Sequence, residues 1–75
     1  MIIIHYQYFR KVDRTWQERT KKCMWPQQAY GFCLSMKKSK TSYVTSWECD
    51  DPYENEWLFQ HISISEINRK EDWRW

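Results

Sequence analysis

Glycine and small aliphatic residues are nearly missing from this chain of 75 residues, which has one Gly, two Pro, one Ala, two Leu and two Val. A single glycine leaves no Gly-rich phosphate-binding loop and no flexible linker, and the sequence has no internal repeat. The aliphatic run Ile2 to Ile4 is too short for a signal peptide or a membrane-spanning helix. We therefore expect one small domain over residues 1–75 with no membrane partner.

Closely spaced cysteine pairs are also missing. Cys23, Cys33 and Cys49 are an odd number of cysteines and lie ten and sixteen positions apart. A structural zinc site usually includes a short Cys knuckle, and His5 and His61 do not supply one. We therefore expect free thiols in a reducing, cytoplasmic location, without a metal or a cofactor.

Catalytic motifs are missing as well. Neither histidine stands beside a Ser or Cys nucleophile elbow. The acidic run lacks the turn glycine of an EF-hand, so its carboxylates are better explained by helix capping and turn chemistry. It contains Asp50, Asp51, Glu54 and Glu56. The sequence thus predicts a protein that is not an enzyme.

Aromatic residues take the place of aliphatic ones, with six Trp, five Tyr and three Phe. A domain near this size buries only about 60% of the surface that its unfolded chain exposes. Part of the aromatic surface must therefore be exposed, and exposed aromatic rings commonly anchor interfaces.

The net charge of +2 conceals two halves of opposite sign. Residues 1–40 hold nine Lys and Arg against two acidic residues (+7), and residues 41–75 hold three against eight (−5), so that 7 − 5 = +2. Such a division either pairs packed elements or presents two surfaces of opposite sign to partners.

The first half of the chain predicts a hairpin and a helix. Ile2 to Phe9 is rich in β-branched and aromatic residues and predicts a strand. Thr15 to Trp25 alternates and favours a second strand, with a helix as the alternative. Pro26 to Lys40 predicts a helix with Pro at its start and lysines at its end. Its apolar stripe is Ala29, Phe32, Cys33 and Met36.

The second half predicts a strand that ends at a capped turn. In Ser42 to Cys49 the more apolar alternating face is Tyr43, Thr45, Trp47 and Cys49. Asp51 and Pro52 have the chemistry of a helix start. The segment Pro52 to Ile64 fits either a helix or a strand, and a final short helix is expected from Ser65 toward Trp73 and Trp75.

The predicted fold is α+β, in the order β-β-α-β, with a small antiparallel sheet, one helix packed on one face and a short C-terminal helix. The alternative is a small all-β barrel in which Tyr30 to Met36 is a strand.

Two surfaces compete for the function. The first hypothesis is a protein-interaction module whose acidic and aromatic contact residues steer a partner with a basic surface. These residues are Asp50, Tyr53, Glu56 and Trp57. The alternative is direct binding of DNA or RNA by the basic hairpin, whose cations stand among rings on which bases stack. Its residues are Arg10, Lys11, Arg14, Trp16, Arg19, Lys21 and Lys22.

Two resemblances add expectations. The spacing of Tyr43, Trp47, Asn55 and Trp57 is similar to the strand-to-helix part of chromodomains, although Asp50 stands where a ring of the aromatic cage is expected. The run Trp47 to Tyr53 and the compact aromatic-rich chain resemble small phage or prophage accessory proteins. The second resemblance implies a protein that binds and modulates a host or viral machine, such as an anti-defence inhibitor.

Overall fold

The computed structural model describes residues 1–69, which form a three-stranded sheet with three helices packed against one face. The elements are β1 (Ile2–Arg10), β2 (Thr15–Cys23), α1 (Pro26–Lys38), β3 (Ser42–Cys49), α2 (Pro52–His61) and α3 (Ile64–Ile67). The predicted α+β fold and its β-β-α-β order are confirmed. The alternative barrel is wrong, because residues 30–36 lie inside α1.

The central strand of the sheet is β1, which pairs antiparallel with both β2 and β3. The β1–β2 hairpin runs from the pair Ile2 and Cys23 to the pair Arg10 and Thr15. Its turn contains Arg14 at a φ of 56°, a left-handed conformation that closes the hairpin without a glycine. The preferred prediction of a strand over residues 15–25 is confirmed for residues 15–23, where β2 ends.

The hydrophobic core lies between the sheet and the helices. Buried side chains of all three strands point toward the helices, among them Ile2 and Ile4 of β1. Small side chains of α1 allow this helix to lie close to the sheet. The core consists of Ile2, Ile4, Cys23, Ala29, Cys33, Val44, Leu58, Ile62 and Ile67. Burial raises the pKa of the Cys33 thiol to about 11, so this residue packs as a protonated, small hydrophobic side chain.

A β-bulge interrupts β3. His5 lies opposite Ser46 and Tyr6 lies opposite Val44, which leaves Thr45 as an extra residue in β3. The Thr45 hydroxyl donates a hydrogen bond of 3.0 Å to the His5 carbonyl. Because side chains alternate with period two, one extra residue exchanges the two faces of the strand beyond it.

This bulge overturns the predicted apolar face of β3. Trp47 and Cys49, which follow the bulge, pack against the core as expected. Before the bulge, the residue of β3 that is buried in the core is Val44. Tyr43 therefore points to the opposite face of the sheet. Strict alternation placed Tyr43, Thr45, Trp47 and Cys49 together, and that prediction is wrong for the first two.

Both longer helices begin as their sequences predict. Pro26 is the first residue of α1, and its last turn carries two lysines. The Asp51 carboxylate caps α2 by accepting hydrogen bonds from the backbone N–H groups of Tyr53 (2.8 Å) and Glu54 (3.3 Å). The open question over residues 52–64 is settled in favour of a helix that ends at His61.

The chain beyond α2 forms one further turn of helix. Ser63 caps α3 by accepting a hydrogen bond of 3.4 Å from the backbone N–H of Glu66. This helix ends at Ile67. The predicted continuation to Trp73 and Trp75 lies outside the described residues.

Asn68 closes part of the outer edge of β3. Its side-chain oxygen accepts from the Val44 N–H (2.9 Å), and its side-chain nitrogen donates to the Val44 carbonyl (2.8 Å). One amide side chain thus replaces a neighbouring strand at this point and blocks further pairing there. None of the described helices is long and apolar enough to cross a membrane.

Candidate nucleic-acid interface

The sheet has one face that no helix of residues 1–69 covers, and we call it the uncovered face. Its side chains come from the alternate positions of each strand, because the intervening positions point to the side of the sheet on which the helices pack. Along β2 they are Trp16, Glu18, Thr20 and Lys22; along β1 they are Phe9, Gln7, His5 and Ile3; along β3 they are Tyr43, Ser46 and Glu48.

Three rings from the three strands meet at one end of the uncovered face and form an aromatic triad. The ring centroids of Phe9 and Trp16 are 5.5 Å apart, and those of Trp16 and Tyr43 are also 5.5 Å apart. Trp16 is 50% exposed despite these contacts. The interface hypothesis named Trp16, but it missed Tyr43, because only the bulge brings that ring to this face.

The hairpin turn next to the triad carries three cations. Arg10 and Lys11 follow Phe9 directly, and Arg14 closes the same turn. The loop that contains Lys40 is held beside them, because the Phe9 N–H donates a hydrogen bond of 2.8 Å to the carbonyl of the next residue, Thr41. Arg10 lies 4.0 Å from the carboxylate of Asp13.

The other cations at this turn are available for a ligand. Within residues 1–69, Lys11, Arg14 and Lys40 have no carboxylate within 4.0 Å. All three are exposed. Their positive charge is therefore free to attract an anion to the end of the sheet that carries the triad.

The remaining cations of the hairpin are divided between the two faces. Lys22 lies on the uncovered face, opposite Ile3, whereas Arg19 and Lys21 alternate to the other face. There the Arg19 guanidinium donates a hydrogen bond of 3.3 Å to the Tyr8 hydroxyl and lies 5.7 Å from the centre of the Tyr8 ring. The structure thus brings Arg10, Lys11 and Arg14 to the end of the sheet that carries Trp16. It puts Lys22 on the same face at the opposite end and directs Arg19 and Lys21 to the other face.

A polar hollow of about 680 Å³ lies in the middle of the sheet, and one of its lining residues, Glu18, is two residues from Trp16 on β2. The Gln7 side-chain amide donates a hydrogen bond of 3.2 Å to the Glu18 carboxylate. The His5 Nε2 atom lies 3.5 Å from the Glu48 carboxylate. The hollow is lined by His5, Tyr6, Glu18, Arg19, Thr20, Thr45, Ser46 and Glu48, of which Tyr6 and Arg19 direct their side chains to the other face of the sheet. No sequence pattern pointed to this group, which is assembled from three strands.

The predicted protein-contact residues of α2 lie along one side of that helix. Tyr53 is 83% exposed, and Glu56 is exposed beside it. Trp57 is half-buried: its ring stacks on His61 at 3.9 Å and meets the edge of Tyr30 at 6.1 Å. The ring of Trp57 therefore mainly joins α2 to α1.

Asp50, the fourth predicted contact residue, lies at the end of β3 and has a partner within the chain. Its carboxylate accepts a hydrogen bond of 2.8 Å from the amino group of Met1. This contact holds the pKa of Asp50 below its usual value and raises the pKa of the amino group. Sequence reasoning missed Phe59, which is 67% exposed and whose ring centre lies 5.1 Å from that of Trp47.

One group of side chains has the composition of a cation site. Ligand atoms of Cys49, Asp50 and Glu54 lie within 4.8 Å of one another. The Cys49 thiol donates a hydrogen bond of 3.3 Å to the Asp51 carbonyl, and Asp50 already binds the Met1 amino group. A cation would have to displace both of these contacts.

The residues that resemble a chromodomain fall on two sides of the sheet. The Trp47 indole N–H donates a hydrogen bond of 3.0 Å to the Asn55 side chain and joins β3 to α2. Tyr43 faces the opposite way, toward the triad.

No family model, no curated protein and no solved structure matches this chain.

Proposed function

We propose that this protein binds single-stranded nucleic acid on the uncovered face of its sheet. The observation that carries the proposal is the aromatic triad of Phe9, Trp16 and Tyr43, three rings in contact on an open surface at the end of the sheet where the hairpin cations lie. The proposed activity is binding without catalysis, in a reducing, cytoplasmic location that suits the three free thiols.

The chemistry of the triad favours a single strand over a duplex. Unpaired bases expose their flat faces, and stacking on an aromatic side chain contributes about 1–3 kcal/mol per base. A duplex hides those faces in its own stack. The half-exposed ring of Trp16 gives a base a surface to cover, and its neighbours Phe9 and Tyr43 hold it in place.

The hairpin cations supply the contact to phosphate. Four exposed cations lie on or beside the uncovered face: Lys11, Arg14 and Lys40 at the end that carries the triad, and Lys22 farther along β2. For a single strand, log affinity falls against log salt concentration with a slope of about −0.7 per neutralised phosphate. Four contacts therefore predict a slope of about −3.

Fluorescence anisotropy with a labelled oligonucleotide of about 12 unpaired nucleotides, titrated at several salt concentrations, measures this slope. Replacing Lys11 and Arg14 together by Gln is expected to bring the slope from about −3 to about −1.5. The matched control replaces Lys37 and Lys38 by Gln in the last turn of α1, which leaves the slope unchanged. A slope near zero for the wild type, or no binding at low salt, rejects the proposal.

A second candidate function is protein contact through α2, favoured by the high exposure of Tyr53 and Phe59 in the acidic half of the chain. In this proposal the protein modulates a larger host or viral machine, for example as an anti-defence inhibitor, through a basic surface of the partner. Exposed rings beside carboxylates are suited to such a contact.

Affinity capture from nuclease-treated lysate tests this second candidate. Replacing Tyr53 by Ala deletes an anchoring ring, and we expect it to weaken the binding free energy for the partner by at least about 1 kcal/mol. The partner should then no longer be captured. The melting temperature should stay unchanged, since the ring is 83% exposed. Gln60→Ala, an exposed change on the same helix, is the control. Capture that survives Tyr53→Ala, or that requires nucleic acid, contradicts the α2 contact.

A further inference from the structure

We propose that the polar hollow beside the aromatic triad reads the edge of an unpaired base and selects guanine over uracil or thymine, with the Glu18 carboxylate as the main acceptor. This inference rests on the proposed binding of single strands and adds base selectivity to it.

Glu18 is the same-face neighbour of Trp16 on β2. Trp16 and Glu18 are two residues apart on β2 and point to the same face. Two residues of a strand span about 7 Å. For a bound strand that runs along β2, a base stacked on Trp16 places the next nucleotide over Glu18, and Gln7 lies beside Glu18 on the central strand.

The hollow offers hydrogen-bond acceptors to a base. The carboxylates of Glu18 and Glu48 are acceptors, and one Glu18 oxygen already accepts from Gln7, which orients the group. Guanine presents two parallel donors on its Watson–Crick edge, the ring N1–H and the exocyclic N2 amino group, which fit one carboxylate. Uracil and thymine present carbonyl acceptors on both sides of one N–H, and a carboxylate repels those oxygens.

The charges of the hollow and of the hairpin turn favour one orientation of the bound strand. Carboxylates in the middle of a sheet face repel phosphate, so they weaken binding if the strand lies with its backbone across them. The same carboxylates are favourable if the backbone follows the cations at the turn and the bases point inward to the hollow. The arrangement of Arg14 outside and Glu18 inside therefore matches a strand bound with its bases toward the sheet.

The test compares oligomers of about 12 nucleotides that contain only uracil with matched oligomers in which one central uracil is replaced by guanine, cytosine or adenine. A single guanine per strand prevents quadruplex formation. Because one good base contact discriminates by about 1–3 kcal/mol, the guanine oligomer should bind about 5- to 150-fold more tightly than the uracil oligomer. Cytosine, which has one amino donor, should fall between them.

Glu18→Gln identifies the residue that selects the base. The change keeps the size of the side chain and the acceptor for Gln7, but it places an amide where the carboxylate was. The preference for guanine should fall to about two-fold or less, while the affinity for the uracil oligomer stays the same or rises, because a repulsive charge is gone. Glu56→Gln on α2 is the matched control and should keep the full preference. Glu48→Gln should reduce the preference less, since Glu48 lies farther from the triad.

The outcomes separate this inference from the function on which it rests. Salt-dependent binding of all oligomers with equal affinity leaves the proposed function standing and overturns the selection of guanine. A wild-type preference that persists in Glu18→Gln also overturns it. If no oligomer binds at low salt, the proposed function itself fails and the inference fails with it.

Discussion

Replacing Ile4 by Ala is expected to lower the free energy of unfolding by about 2–5 kcal/mol, the largest effect of any single change considered for this protein. Ile4 is fully buried on the central strand, between Lys21 of β2 and Trp47 of β3. Loss of its side chain removes apolar contacts and leaves a cavity that a sheet paired on both sides cannot easily close. Urea denaturation followed by tryptophan fluorescence measures the change.

The size of the effect matters because small domains have little stability to lose. At the usual 0.05–0.15 kcal/mol per residue, a chain of 75 residues has a total of about 4–11 kcal/mol. The matched control is Ile3→Ala, which changes the same residue type one position earlier, on the uncovered face. Ile3 is only half-buried, so its loss should be clearly smaller. Equal losses at the two positions would contradict the assignment of the core to one face.

Replacing Trp16 by Ala is expected to reduce the affinity for single-stranded nucleic acid by about 1–3 kcal/mol, or roughly 5- to 150-fold. The indole is the most exposed ring of the triad and contacts both of its neighbours. Its removal deletes one stacking surface and loosens Phe9 and Tyr43. The salt dependence should remain, because the phosphate contacts belong to the cations at the turn.

Trp25→Ala is the matched control for this change. Trp25 is 58% exposed and lies after the far end of β2, away from the triad, and its capping of α1 uses its backbone carbonyl. We expect full affinity in this variant. Affinity lost equally in both variants would show that indoles in general, and not the triad, bind the nucleic acid. A melting temperature measured for each variant separates loss of binding from loss of fold.

The two effects are expected to be separable because neighbouring residues of one strand serve different purposes. On β1, Ile4 faces the helices and contributes to stability, while His5 lines the polar hollow and Phe9 belongs to the triad. A sheet covered on one face allows this division along every strand. Changes on the uncovered face should therefore alter binding with little effect on the free energy of unfolding.

The local elements could be predicted from the sequence alone, because their signals come from residues close together in the chain. The β-branched start predicted β1, Pro26 marked the first turn of α1, and the Asp51–Pro52 pair predicted the capped start of α2. The cation cluster of the hairpin turn was equally visible, since a turn keeps neighbouring residues together. These features depend on backbone preferences and capping hydrogen bonds that act over a few residues.

The grouping of side chains into surfaces could not be predicted from the sequence, because it follows from the folded arrangement of the strands. The bulge at Thr45 reverses the face of Tyr43, and no local pattern predicts it, because it reflects how β3 fits against both β1 and the helices. The triad joins residues 9, 16 and 43, and the hollow joins Glu18 and Glu48 across the central strand. Trp57 was likewise predicted from the sequence as a protein-contact residue, but its ring packs against α1 and is half-buried. Such groupings depend on strand order and register, which are set by contacts between residues distant in the sequence.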